Sequence, residues 1–437
     1  MSDTVVASPD LVEEMNLWPS PQVTGQPFDL YSQLRKQAPV YKHPTRNEYF
    51  VSRYEDLTAI AQQPEIFSSD LFGGVAQNGE VEETRMKRIL WTKPADVDQD
   101  EEKRRTPYPS AASDPPEHRL KRRLGLMMVT RQKLQSYEPM IQRHVDELID
   151  AFIERGSFEF REEFGNVLPV RVILDVLGLP LEDEKRLRDW GDTEAGGSAR
   201  YVSEERSLAD ERRTKQLAAY VRAALVERHA AIERDEEPAP GFFSEIIRAQ
   251  IAADGEFDLD FLNAECGLLV RAGNNTTSHM LASAMMLLCQ NPENIERLRT
   301  EPELIPQFID ETMRVQSPIQ WTQRQTKVDA VVNGVQIPAR SWVIMMWASA
   351  NRDPERFADP AEMKIDREDV GKLQLGFGHG IHRCVGAPLA QLEGRIVFET
   401  ILRRITNFRI ADGADLRNAD SVRFRVPREL PITFDAL

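Results

Sequence analysis

FGHGIHRC, residues Phe377 to Cys384, runs directly into VGAPLAQLEGRIVFE, residues Val385 to Glu399. The second stretch reads as the opening turns of a helix, with Pro388 suited to a first helical position. The first is a glycine-rich loop, in which Gly378, Gly380 and Gly386 let the backbone fold tightly around the Cys384 sulfur. Backbone N–H groups and the helix dipole can then stabilise negative charge on that sulfur. A buried thiolate needs a cation, and iron would supply it. The alternative is an inert core thiol after a glycine loop, the commoner fate of an average cysteine.

The spacing Phe377-x-x-Gly380-x-x-x-Cys384-x-Gly386 resembles the haem-binding signature of the cytochrome P450 superfamily. That resemblance implies a mainly α fold, a large helical lobe with a smaller β-rich region, and haem b between a long central helix and the cysteine loop. It makes Cys384 the thiolate ligand of the iron, with Phe377 and Gly386 in the cofactor cradle.

Composition is compatible with this and excludes other classes. A chain of 437 residues, 41% hydrophobic and 29% charged, can enclose a cofactor-sized cavity. A formal charge of −16 opposes a nucleic-acid partner, because phosphate contacts demand a positive field. The N-terminus has no basic start followed by an apolar run, and no window approaches a membrane span, so a cytoplasmic protein without membrane contact is expected. Three widely spaced cysteines, Cys266, Cys289 and Cys384, form neither a disulfide framework nor a zinc pattern.

Along the chain, residues 1–20 read as a loosely held polar leader, and 21–437 as one catalytic domain without a linker. PFDLYSQLRKQAPV has helical spacing and YKHPTRNEYFVSR alternates like a short sheet. Between Phe67 and Ser113 the chain is charged and poorly periodic, either a solvated insertion or a substrate gate. Helical periodicity runs from Pro115 to about Arg299. DAVVNGVQIPARSWVIMM reads as a hairpin turning at Asn333-Gly334, and VRFRVPRELPITF as another strand pair.

NAECGLLVRAGNNTTSHMLASAMMLLCQ, Asn263 to Gln290, is apolar on most faces, so as a helix it is buried and long. Gly273, Asn274, Asn275, Thr276 and Thr277 are costly inside such a helix unless something uses them. Threonine hydroxyls can bond back to the preceding turn and loosen the helix there. The segment is similar to the family's oxygen-binding helix, with Ala272, Gly273 and Thr276 on matching positions, which puts Thr276 beside the oxygen site. Asn275 stands where the family usually has an acid. An amide orients water but does not titrate.

Glu311 and Arg314 are three apart in IDETMRVQSP and face each other on a helix. They match the family's Glu-x-x-Arg motif, which implies a buried structural ion pair. The family's third basic partner comes from near Ala350 to Arg367. Glu362 falls on its position, with Arg352 or Arg356 as substitutes. The resemblance also assigns His118, Arg122, Arg324 and His382 to the haem propionates, which need donors and positive charge. Arg119, Lys121, Arg123 and Arg383 form a local basic island. It is either a solvated face or a docking site for an acidic ferredoxin or flavodoxin-type donor.

The reaction implied is insertion of one atom of O2 into a hydrophobic small molecule, with electrons reaching the iron from NAD(P)H through a redox partner. The resemblance places pocket walls at the insertion before Ser113, at Leu269, Ala272, Ile319 and Gln320, and near Val426, positions that are mostly apolar. Asn275 leaves open a peroxide-driven or nitric-oxide-reducing enzyme on the same fold. A haem sensor or carrier, and a helical protein without haem, are further alternatives.

Overall fold

The computed structural model describes residues 8–70, 109–193, 201–419 and 421–437. The chain groups into two compact units interleaved in sequence. One comprises Met1–Gly74, Val145–Gly165 and Thr276–Leu437, the other Val75–His144 and Asn166–Asn275. The boundary between Asn275 and Thr276 falls inside a single helix, Leu259–Gln290. The fold is mainly helical with clustered strands, as the sequence implies.

All strands found among the described residues lie in the first unit. Five of them form one sheet in the order Val40–Lys42, Glu48–Val51, Trp342–Met345, Thr322–Thr326 and Phe67–Ser68. Glu48–Val51 runs parallel to Trp342–Met345, and the other pairs are antiparallel. Val51, Leu57, Ile60, Val343, Met345 and Leu375 share one core cluster at this sheet. Leu375 lies two residues before Phe377, so the apolar core that the sheet buries also anchors the start of the cysteine loop.

The hairpin forms as read, with Ala330–Val332 against Val335–Ile337 and positive φ at both Asn333 (45°) and Gly334 (77°). Two expectations fail. Residues from Val422 to Pro427 make only isolated bridges, Ile319 with Phe424 and Asn418 with Pro427. Only Pro431–Ala436 is a true strand, paired with Ile405–Ile410 and Ser157–Glu159. Pro427 lacks the N–H a ladder needs. The leader is not loose from Ser8 onward: Ser8 caps the helix Pro9–Leu17, in which Leu11 and Met15 are fully buried. The Trp18 ring then meets Phe50 at 4.7 Å and Trp321 at 5.1 Å. The proposed insertion or gate lies outside the described residues from 71 to 108.

The regular structure among the second unit's described residues is all helical. Glu204–Glu233, capped by Ser203, buries Leu217, Val221 and Leu225 at four-residue spacing and packs on Glu184–Gly191 and Phe242–Asp254. Among the described residues no helix is long and apolar enough to cross a membrane.

Candidate active site

Leucine, asparagine and glycine fix the cysteine loop before cysteine is reached. The Leu375 N–H donates to Asn351 Oδ1 at 2.7 Å, and a Cβ on Gly376 would stand 2.7 Å from the Met313 carbonyl oxygen. The chain then turns through Gly378 (φ +73°) and Gly380 (φ +70°), both in the left-handed region. At Gly380 a Cβ would sit 2.2 Å from the Ala61 carbonyl oxygen, so only glycine fits. The Cys384 N–H closes the loop onto the Phe377 carbonyl at 2.7 Å, and the helix Ala387–Arg404 follows.

The three cysteines differ in surroundings. Cys266 is buried and Cys289 partly so, whereas Cys384 is exposed. Burial raises both other thiols, Cys289 to about 12, so they stay protonated. Cys384 is thus the one thiol presented for ligation. It offers a single soft ligand, which suits an iron that brings its other ligands with it, as the four nitrogens of haem do. The residues present therefore fit the cofactor that the loop implies.

Behind the loop stands the ion pair. Arg314 and Glu311 are fully buried and joined twice, Nε to Oε2 and Nη2 to Oε1, each at 2.7 Å. The remaining Arg314 protons go to the carbonyls of Asn351 (2.9 Å), Pro360 (2.8 Å) and Glu362 (2.8 Å). Asn351 thereby ties the pair to Leu375 and the loop. The third basic partner is Arg367, whose Nε donates to both Glu311 oxygens at 3.0 and 3.2 Å. This corrects the expectation of Arg352 or Arg356. Arg352 donates to the Val315 carbonyl and covers Phe28, and Arg356 covers the Tyr54 ring. Glu362 contributes its carbonyl, not its side chain.

The long helix has an open face in its middle. Leu268, Arg271, Asn275, Thr276 and His279 are partly accessible and Ala272 is exposed, while Leu269, Val270, Asn274, Thr277, Ser278 and Met280 are buried. Steps of three and four put the open positions on one side. Asn275 donates its amide to the Gly191 carbonyl at 2.9 Å, so this side chain is committed to holding a neighbouring helix end. At Gly273 a Cβ would meet Ile173 Cδ1 at 3.4 Å, an ordinary contact, so packing alone does not demand glycine there. One turn beyond Thr276 lies His279, edge-on to Phe424 with ring centroids 5.5 Å apart. Burial, with the Arg161 charge adding, pushes the His279 imidazole down to about 3, so it is neutral at physiological pH.

The four propionate candidates divide between the units. His118 (buried) and Arg122 (partly buried) lie on the helix Glu117–Leu126, and Arg324 on the strand Thr322–Thr326. His382 ends the short 3-10 turn Gly380–His382. The basic island loses a member. Lys121 is buried with its Nζ on Ser113 Oγ at 2.9 Å, whereas Arg119, Arg123 and Arg383 are exposed. Beside it, Glu265 accepts from both the N–H and the hydroxyl of Ser110 at 2.7 Å, a contact that sequence spacing did not suggest. Of the pocket positions, Ile319 is partly accessible and Leu269 and Val426 are buried. Gln320 spends its amide on the Ser317 carbonyl at 2.6 Å.

A thiol presented on a loop whose turns call for glycine, tied through Asn351 to a buried Glu–Arg pair and followed by a helix, fits the haem-thiolate class that the sequence resembles. The family model for cytochrome P450 matches residues 206–420. Cyclomarin C epoxidase CymV of Salinispora arenicola is 30% identical over 403 residues, 92% of this chain and 94% of that relative. Pulcherriminic acid synthase of Bacillus subtilis is 29% identical over 430 residues, covering 95% and 97%. Among solved structures, CYP109E1 from Bacillus megaterium in complex with testosterone aligns with a TM-score of 0.79 at 27% identity, covering 95% of this chain and 99% of that one. The chain belongs to the cytochrome P450 family. It is a haem-dependent monooxygenase acting on small molecules.

Proposed function

We propose that Cys384 Sγ would hold the haem iron and that the Thr276 hydroxyl would serve the oxygen side. The exposure of Cys384, alone among three thiols, supports this most directly. Bound haem would supply the reductive activation of dioxygen, from which one atom enters the substrate and the other leaves as water. The protein's part is to hold, insulate and deliver protons. The Phe377 carbonyl and the glycine turns fix the sulfur. His118, Arg122, Arg324 and His382 are the donors proposed for the propionates, where charge-assisted hydrogen bonds offset the burial of two carboxylates. Thr276 can accept a proton from ordered water and pass one on, a task that neither the committed amide of Asn275 nor the neutral His279 can perform as an acid.

Ala272, Leu269, Ile319 and Val426 are the apolar walls proposed for the substrate, with Gln320 bracing the Ile319 turn. Electrons come from a ferredoxin or flavodoxin-type donor, for which exposed Arg119, Arg123 and Arg383 offer positive charge on an acidic protein. A peroxide-driven reaction is a second reading, favoured by Asn275, which does not titrate. Turnover of a substrate identified by its shift of the haem spin state separates the two. Dependence on a redox partner and dioxygen supports the first, and full activity with hydrogen peroxide alone overturns it.

A further inference from the structure

Among the described residues, the arginines whose charge is disfavoured by burial are at least partly hydrogen-bonded, with Arg271 as the exception. Arg35, Arg228, Arg352 and Arg425 all have their charge disfavoured by burial, and each donates to at least one carbonyl. Arg271 shares the desolvation, which lowers it to about 10, so it remains charged at neutral pH. Yet among the described residues it makes no hydrogen bond, ion pair or ring contact. A partly desolvated guanidinium with no charge partner is unfavourable, and its five fixed N–H donors are open to an acceptor. The side chain is still partly accessible, so a ligand can reach it.

Its location says which ligand. Arg271 lies on the open face of the long helix, beside Leu268 and Ala272 and five residues before Thr276. Five residues advance a helix by about 7.5 Å. We infer that Arg271 anchors an oxyanion of the substrate, a carboxylate or phosphate monoester carried at one end of an otherwise apolar small molecule. The guanidinium fork binds such groups through two parallel hydrogen bonds, while Leu268 and Ala272 meet the apolar body. Other side chains, His118, Arg122, Arg324 and His382, are the ones proposed for the propionates. The inference rests on the reading of Thr276 as the oxygen side and deepens it by naming the substrate class.

The test is calorimetric binding to the haem-loaded full chain, with anions paired against neutral analogues. Dodecanoate is compared with methyl dodecanoate, para-ethylbenzoate with its methyl ester, and dodecyl phosphate with dodecanol. The carboxylate and phosphate arms distinguish the two oxyanions. At least one anion is expected to bind about tenfold or more tightly than its partner, the range of a charged hydrogen bond. Arg271→Met should abolish that preference, Arg271→Lys should retain part of it, and the unliganded Arg271→Met protein should melt at a higher temperature. No anion preferred by the wild type, a preference that survives Arg271→Met, or a lower melting temperature in that variant would each overturn the inference. The reduced carbon monoxide spectrum of the same preparation keeps this separate from the proposed function. A thiolate spectrum without anion preference sinks only the role of Arg271.

Discussion

At the scale of single residues, the cysteine was legible because its chemistry is encoded locally: aromatic, glycines and thiol occupy eight consecutive positions whose turn geometry follows from glycine alone. Replacing Cys384 by Ala should abolish the thiolate-type absorption of the reduced carbon monoxide complex, and a variant with an unchanged spectrum would show that another group holds the iron. Thr276→Ala should leave haem binding intact yet divert electrons to peroxide, read as a higher ratio of peroxide to product. Unaltered coupling would remove Thr276 from proton delivery. Arg367 was harder to see. It was the last residue of the segment expected to supply the third partner, but it meets Glu311 across 56 positions of irregular chain, where no periodicity marks which side chain turns inward. Arg271 was hidden for a different reason: an arginine in a helical pattern usually marks a solvated face, and only the structure shows this one partly buried without a partner among the described residues.

Elements were legible where backbone chemistry is explicit and misread where composition masks it. Asn333-Gly334 announces its hairpin because both residues accept positive φ. The helix at Pro9–Leu17 went unrecognised because acidic and polar residues dilute the spacing of Leu11, Met15 and Trp18, the three side chains that bury it. The cysteine loop is the element under most constraint, and two substitutions probe it. Gly380→Ala must displace the Ala61 carbonyl or abandon φ +70°, at a cost of roughly 1–3 kcal/mol. It should lower the melting temperature and weaken haem retention, measured as haem transfer to apomyoglobin. An unchanged transfer rate would mean that the loop tolerates a wider turn. Arg314→Met leaves buried Glu311 with only Arg367 and the Lys364 N–H as partners, and about 3–5 kcal/mol should be lost, as for a broken buried pair. Because Arg314 reaches Leu375 through Asn351, the loss should appear as inactive, thiolate-free material in the carbon monoxide spectrum, whereas an exchange confined to the protein surface would leave that spectrum alone.

For the whole molecule, the groups buried beside the site give stability a pH dependence whose sign can be assigned. His279 has its imidazole depressed from 6.5 to about 3, so in the folded protein it stays neutral while in the unfolded chain it takes up a proton below 6.5. The unfolded state therefore binds more protons throughout the window from about 6.5 down to about 3. Stability from this group is intact above 6.5 and lost as the pH falls through the window. Between pH 6.5 and 5.5 the loss is about 1 kcal/mol. Glu265 and Glu393 act in the opposite direction, because burial raises them and the folded state holds their protons more firmly. A wild-type acid profile mixes these signs. A comparison with His279→Asn isolates one of them: the amide keeps a polar side chain next to Phe424 but cannot titrate. The urea midpoint of the wild type should fall further between pH 6.5 and 5.5 than that of the variant. Parallel profiles would mean that His279 reaches water when protonated, which would also open the Thr276 side of the helix to bulk solvent and weaken the case that Thr276 governs proton delivery there.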